Sequence, residues 1–341
     1  VLDRRGRQRF LRHKGALVGA GLVLVLIVFA VFGPLLAQND PLASDFVHGV
    51  SPVETPVGPS ARFLLGVDRL YRDQFARLAV GARLSLSIAI AATALASLLG
   101  AIVGILAGYH EGSPGIRVPY VLVVAGASSV PLVIAGHPRV ALAGIAGALV
   151  LRGIAALAGL SRLKDGVRVN LDGILMRIVD VGLAFPFLLL VMALGAAIDE
   201  TSAVTILLVL GLTGWLGTAR VIRAKTLQVR GLEFVQASRA LGQPTWAVLL
   251  RHVVPNVAGP LVVIATVSVA QMIVAESVLS YLGAGLAPPT PTWGRMLAEG
   301  QDYYLAAPWL LAAPGLAILV AVLGFNLLGE GLRDALDPRE T

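Results

Sequence analysis

Residues 84–108 form 25 consecutive positions without a charged side chain. About 20 apolar residues in a helix cross the hydrocarbon core of a bilayer, so this run is long enough to span one. It has company. Residues 15–37 carry no charge, and residues 181–198, 203–219, 257–283 and 305–328 are further long apolar runs. Charged residues make up only 14% of the 341 positions, against roughly a quarter in ordinary soluble domains. A mean hydropathy of +0.83 agrees. The chain reads as all-α: a polytopic transmembrane helical bundle.

Several chemistries are set aside by what the sequence lacks. There is no Cys, so neither a disulfide framework nor a thiolate metal site is expected. The five His (13, 48, 110, 137 and 252) show no ligand-like spacing. No metal or catalytic site is therefore expected. An intramembrane enzyme would need paired carboxylates, a Ser/His pair or a His/Glu metal set on the spans, and none stands out. A phosphate-binding G-x-x-x-x-G-K-[ST] loop is also missing, so ATP is not expected to bind this chain.

Along the chain, residues 1–14 hold six Lys and Arg ahead of the first apolar run. A cleaved secretory signal has a shorter apolar region, of about 7–15 residues. An uncleaved first span with a cytoplasmic N-terminus is expected over residues 1–37. Residues 38–83 read as an external loop ending in an amphipathic segment. The second span falls in 84–111, where Ala92, Ala96, Gly100 and Gly104 lie four apart on one face, a spacing that lets helices approach closely. Residues 112–168 hold two apolar runs, 118–136 and 140–160, broken by His137-Pro138-Arg139. They read as an inserted hydrophobic hairpin, either spanning or re-entrant, with Arg152 the costly charge. Residues 169–341 contain the remaining spans. Pro186 lacks a backbone donor and should bend its helix, while Arg177 and Asp180 are spaced to pair. Glu276 is an intramembrane carboxylate, a functional hypothesis by default, with a buried hydrogen bond as its plainer reading.

The stretch between two spans, residues 220–256, is polar and basic. It reads as a short helix, a turn at Gly242-Gln243-Pro244 and a second short helix. Phe234, Ala237, Ser238 and Leu241 share one helical face, and Trp246, Leu249, Leu250 and Val253 share another. Gly242 suits the left-handed residue that ends a helix, and Pro255 is expected to break the second helix before the next span. Two helices around a Gly turn also suit DNA binding. Tethering between two membrane spans argues against that, and no nucleic-acid partner is expected.

The pattern of this loop resembles the EAA loop of ABC-importer permeases. Gln236-Ala237-Ser238 stands where Glu-Ala-Ala is usual, and Gly242 and Val253-Val254-Pro255-Asn256 keep their places. Further strings are similar to the dipeptide/oligopeptide/nickel permeases, and to their C-type subunit with its longer first external loop. One runs from Leu65-Gly66-Val67-Asp68 through Tyr71-Arg72-Asp73 and Arg77 to Gly81 and Arg83, with Val67, Tyr71 and Ala76 replacing Thr, Gly and Ser. Others are Met176-Arg177-Ile178-Val179-Asp180, Ala184-Phe185-Pro186, the segment around Glu276, the P-P-T-P-x-W-G-x-M-L-x-x-G string from Pro288 to Gly300, and Phe325 to Arg339. The resemblance covers residues 1–111 and 169–341. It implies a core of six spans, about eight with the inserted hairpin, and no catalytic residue on this chain. It implies coupling to a separate ATPase through Glu233, Gln236, Ala237, Ser238, Gly242 and Pro255. Asp68, Arg72, Asp73 and Trp293 are implied at the outer mouth, on the binding-protein side. The implied partners are a second permease, two ATP-binding subunits or domains carrying ATP and Mg, an extracytoplasmic substrate-binding protein and the lipid bilayer.

With eight spans and the N-terminus inside, 20 of the 27 Lys and Arg fall on the cytoplasmic side and 7 outside. The positive-inside rule favours that orientation in a bacterial cytoplasmic membrane, with both termini and the 220–256 loop cytoplasmic. The expected function is import of di- or oligopeptides. A nickel importer is the alternative within the family, and an ATP-independent secondary transporter or channel is the alternative outside it.

Overall fold

A computed structural model of the chain describes residues 4–51, 55–112, 116–119, 147, 166–197 and 202–336. Two compact units separate, residues 1–105 with 179–341, and residues 106–178. The helices are α1 (Arg4–Arg12), α2 (Lys14–Leu36), α3 (Gln74–His110), α4 (Leu171–Ala184), α5 (Phe187–Ala196), α6 (Ala203–Arg230), α7 (Glu233–Ala240), α8 (Thr245–Val248), α9 (Val254–Tyr281), α10 (Trp293–Gly300) and α11 (Trp309–Leu336). A π-helical turn, Leu249–Val253, joins α8 to α9. Among the described residues, five helices are long and apolar enough to cross a membrane, or six if α4 and α5 together make one span. The eight expected spans are not reached there. The two assigned to residues 118–160 lie, but for residues 118, 119 and 147, outside the described residues.

In the smaller unit, strands β1 (Ile116–Pro119) and β2 (Gly166–Val169) pair antiparallel, Ile116 opposite Val169 and Pro119 opposite Gly166. This ribbon is a short addition to an otherwise helical structure. The hairpin expected over residues 112–168 otherwise lies outside the described residues.

In the larger unit, small residues set the helix spacing. A Cβ on Gly100 would come within 2.6 Å of Thr218, and one on Gly104 within 2.6 Å of the Ala219 carbonyl oxygen. The small-residue face of α3 is therefore the seam along which α6 lies. Leu86, Ile88, Leu210, Ile273, Leu279 and Trp293 meet in the core this packing creates. The expected bend at Pro186 is present: α4 and α5 diverge by 87° across it. Asp180, expected to pair with Arg177, instead accepts from Arg220 Nη2 at 2.7 Å. Both side chains are about half exposed, so the pair adds little stability.

Within the amphipathic segment that ends the 38–83 loop, regular helix starts only at Gln74. Residues 44–73 form short bridges, Ser44 with Arg72, Val50 with Pro56 and Val67 with Asp73. Asp73 explains the late start. Its Oδ1 accepts the backbone N–H groups of Phe75 (2.8 Å) and Ala76 (3.1 Å), donors that a helix N-terminus leaves unpaired. Asn39 Nδ2 donates to its Oδ2 at 2.7 Å. Tyr71 takes the place of the family's Gly, yet its φ is +60°, the conformation that Gly would adopt freely. Its ring packs edge-on against Phe46, with centroids 5.6 Å apart, a contact that offsets part of the backbone strain. Nearby, Asp45 is held below the ordinary carboxylate range, first by the His48 backbone N–H it accepts at 2.9 Å.

Candidate functional site: a two-helix knob and a buried ionic cluster

The knob is built by α7, a turn at Gly242, α8 and the π-helical turn. Its frame is held from within. Val235, Val248 and Val253 are fully buried, and Ser238 is nearly so. Ser238 Oγ donates to Gln243 Oε1 at 2.8 Å, and the Gln243 N–H returns to the Ser238 carbonyl at 3.3 Å. Gly242 turns the chain with φ +76°. The outer surface is apolar: Phe234 is 46% exposed, Trp246 66%, Leu250 63% and Leu241 81%.

Two details of the sequence reading are corrected here. Ser238 does not share the outward face of Phe234, Ala237 and Leu241; it points inward with Val235, which pattern reading passed over. Pro255 does not break the second helix. Thr245 to Tyr281 is helical throughout, with Pro255 in the first turn of α9. A proline ring clashes with the carbonyl four residues back, and the wider π-helical turn just before Pro255 provides the room. Of the residues expected to couple, Glu233, Gln236, Ala237 and Pro255 are exposed, and Ser238 and Gly242 shape the turn.

At the other ends of α3 and α9 lies a buried ionic cluster. Arg72 Nε donates to Asp68 Oδ2 at 2.7 Å, and Arg72 Nη2 to Glu299 Oε2 at 3.0 Å. Arg77 Nη2 reaches the same Glu299 oxygen at 2.7 Å, with its Nε 3.2 Å from Asp68 Oδ2. Arg295 Nε donates to Glu299 Oε1 at 3.2 Å. Arg77 has no exposed side-chain surface, and Asp68, Arg72 and Glu299 have less than a tenth. Beside them, Trp293 is wholly buried, its Nε1 donating to the Leu78 carbonyl at 3.3 Å.

The cluster and its neighbours include Asp68, Arg72, Asp73 and Trp293, the four residues implied at the outer mouth on the binding-protein side. All four side chains are interior. Arg72, held by Asp68, ties the 65–73 segment to α10, Asp73 caps α3, and Trp293 binds α10 to α3. The string from Pro288 to Gly300 closes in a short helix, α10, capped by Thr292 Oγ1, which accepts from the Arg295 N–H at 3.3 Å. Glu299 is the residue that sequence reading missed. The signal was there: Asp68 and Asp73 leave Arg69, Arg72, Arg77 and Arg83 in excess within residues 65–83, so a distant acid was needed. Glu276 is fully buried on α9 and accepts from Ser280 Oγ at 2.7 Å through Oε1. Its Oε2 has no hydrogen-bond partner among the described residues.

Comparisons with known proteins bear on both regions. A family profile described as "Binding-protein-dependent transport system inner membrane component" matches residues 154–341, which include the knob, Glu276 and the α10 half of the cluster. A second, "N-terminal TM domain of oligopeptide transport permease C", matches residues 4–49. The oligopeptide transport system permease protein OppC of Bacillus subtilis is 31% identical over 97% of this chain and 88% of its own length. The di/tripeptide transport system permease protein DppC of Pseudomonas aeruginosa is 33% identical over 97% of this chain and 90% of its own length. The glutathione transport system permease protein GsiD of Pectobacterium atrosepticum is 31% identical over 97% and 89%. With its multiple apolar spans and these matches along nearly its whole length, the chain belongs to the inner-membrane permease components of binding-protein-dependent transport systems.

Proposed function

We propose that this chain is the permease subunit of an ATP-driven importer of di- or oligopeptides, driven by a separate ATPase that grips the α7–α8 knob. The observation that carries the reading is the knob's exposed apolar surface. Phe234, Leu241, Trp246 and Leu250 stand outward on a frame that Val235, Ser238, Val248 and Val253 pack from within. Apolar side chains clustered on a loop between two spans mark a protein contact surface. Peptide enters the reading through the relatives, whose names carry oligopeptide, di/tripeptide and glutathione transport. The Lys and Arg asymmetry supports cytoplasmic termini and a cytoplasmic knob, the side on which ATP is available. A second permease, two ATP-binding subunits and an external binding protein complete the proposed assembly. ATP-driven closure of the ATPase pair would favour one of two arrangements of the spans through its differential contact with the knob.

The test is co-purification. Leu241→Asp with Trp246→Asp places two carboxylates in the proposed contact and leaves the inward frame untouched. The ATPase subunits are expected to be lost from the purified complex, and uptake of labelled trialanine to fall more than about tenfold, since central aromatic contacts commonly contribute 2 kcal/mol or more. Retention of the ATPases by the doubly charged variant, or wild-type uptake without nucleotide hydrolysis, would sink the reading.

A further inference from the structure

An open groove of about 510 Å³ lies between α5, α9 and α11, in the larger unit. Phe187, Leu188, Val267 and Val274 give it apolar walls, and Gln271 and Asn326 give it two carboxamides. Gln271 sits ten residues before the end of α9, and Asn326 ten before the end of α11. That is about 15 Å of helix in each case; Gln271 lies midway along the 257–283 apolar run, and Asn326 two residues inside the end of the 305–328 run. Both are exposed. Neither has a hydrogen-bond partner among the described residues, unlike Gln74, which donates to the Leu310 carbonyl, and Asn256, which donates to that of His252.

An unpaired carboxamide facing hydrocarbon is costly, so polar groups within spans face protein or a water-filled cavity. A carboxamide offers two N–H donors and a carbonyl acceptor, the complement of a peptide backbone's C=O and N–H. No charged side chain lines the groove. Its volume lies within the ~300–1,000 Å³ of sites that enclose small ligands. We infer that this groove is a water-filled peptide subsite of the translocation path, where Gln271 and Asn326 hydrogen-bond the backbone of the passing peptide whatever its side chains. This inference rests on the peptide-importer reading above and assigns the substrate contact within it.

The chain has no native Cys, so Gln271→Cys and Asn326→Cys each give it a single thiol. The full transport complex, reconstituted in nanodiscs open on both sides, is treated with a charged maleimide, with and without trialanine. Both thiols are expected to label, and trialanine to slow labelling at least about fivefold. In proteoliposomes the Gln271→Leu/Asn326→Leu double variant is expected to raise the KM for trialanine about tenfold, as loss of two hydrogen bonds would, with ATPase activity and subunit assembly retained. Thiols that do not label overturn the inference, because the groove then faces lipid or is filled by the second permease. Labelling that trialanine leaves unchanged overturns it too, as does an unaltered KM. Loss of the second permease from the double variant identifies the groove as a subunit seam and also overturns the inference. A wild-type complex that takes up no trialanine fails the importer reading and takes the peptide assignment with it, whereas uptake with unprotected thiols overturns the groove alone.

Discussion

Glu299→Ala is expected to destabilise the protein by about 3–5 kcal/mol, the cost typical of removing one partner from a buried ion pair. The carboxylate accepts from Arg72 and Arg77 through one oxygen and from Arg295 through the other. Without it, Asp68 is the sole acid left against three guanidinium groups in the cluster, two of them buried. Arg77 has the most to lose, since its Nη1 already lacks a hydrogen-bond partner among the described residues. Arg295→Ala should cost less than about 1 kcal/mol, because Arg295 keeps access to solvent and screening weakens such pairs. The measurement is the thermal midpoint of the detergent-purified protein, followed by tryptophan fluorescence. Adding Arg77→Met to Glu299→Leu removes a charge of each sign, and the pair should lose less stability than the two single changes summed. An unchanged midpoint in Glu299→Ala would show that the cluster contributes no stability.

Gly242→Val is expected to abolish ATP-driven uptake, while Gly242→Asn keeps most of it. A Cβ at this position would meet nothing within 4 Å, so bulk is not the obstacle. Conformation is: φ is +76°, where an ordinary L-residue loses roughly 1–2 kcal/mol and a β-branched one more. Asn tolerates the left-handed region, so the pair of variants separates backbone conformation from side-chain size. The turn sets the angle between α7 and α8, and with it the spacing of Leu241 and Trp246. Uptake into proteoliposomes, with ATPase co-purification as a second readout, checks the difference. Equal activity in both variants would mean that the turn geometry is not needed for coupling.

Much of this architecture is legible in the sequence because a bilayer enforces simple rules. Long uncharged runs mark the spans, Pro186 marks a bend, and the four-residue repeat of Ala92, Ala96, Gly100 and Gly104 marks a helix seam. What escapes is set by contacts distant along the chain. Glu299 falls at a position that the tryptophan-glycine string leaves unspecified, and only folding brings it to Arg72 and Arg77, more than two hundred residues away. Segment 65–73 looks amphipathic by spacing, yet the Asp73 cap and the bridges to Ser44 and Val67 delay the helix to Gln74. In the knob, Ser238 reads as part of the outer face by periodicity alone. Its hydrogen bond to Gln243, formed only once Gly242 has turned the chain, draws it inward. Pro255 reads as a breaker because the rule for proline assumes a regular α-helix before it, and the π-helical turn there removes the clash on which that rule depends.

That same turn has a mechanical consequence. Because the helix is unbroken from Thr245 to Tyr281, about 55 Å of continuous rod runs from the knob to the end of α9. At its far end Gly294 lies against the backbone of Ser277 with no room for even a methyl group, so α10 is seated directly on the rod. A tilt imposed at Trp246 would therefore be carried to α10, and with it the Glu299 carboxylate, at the other end of this helix. The two ends of the molecule share one lever.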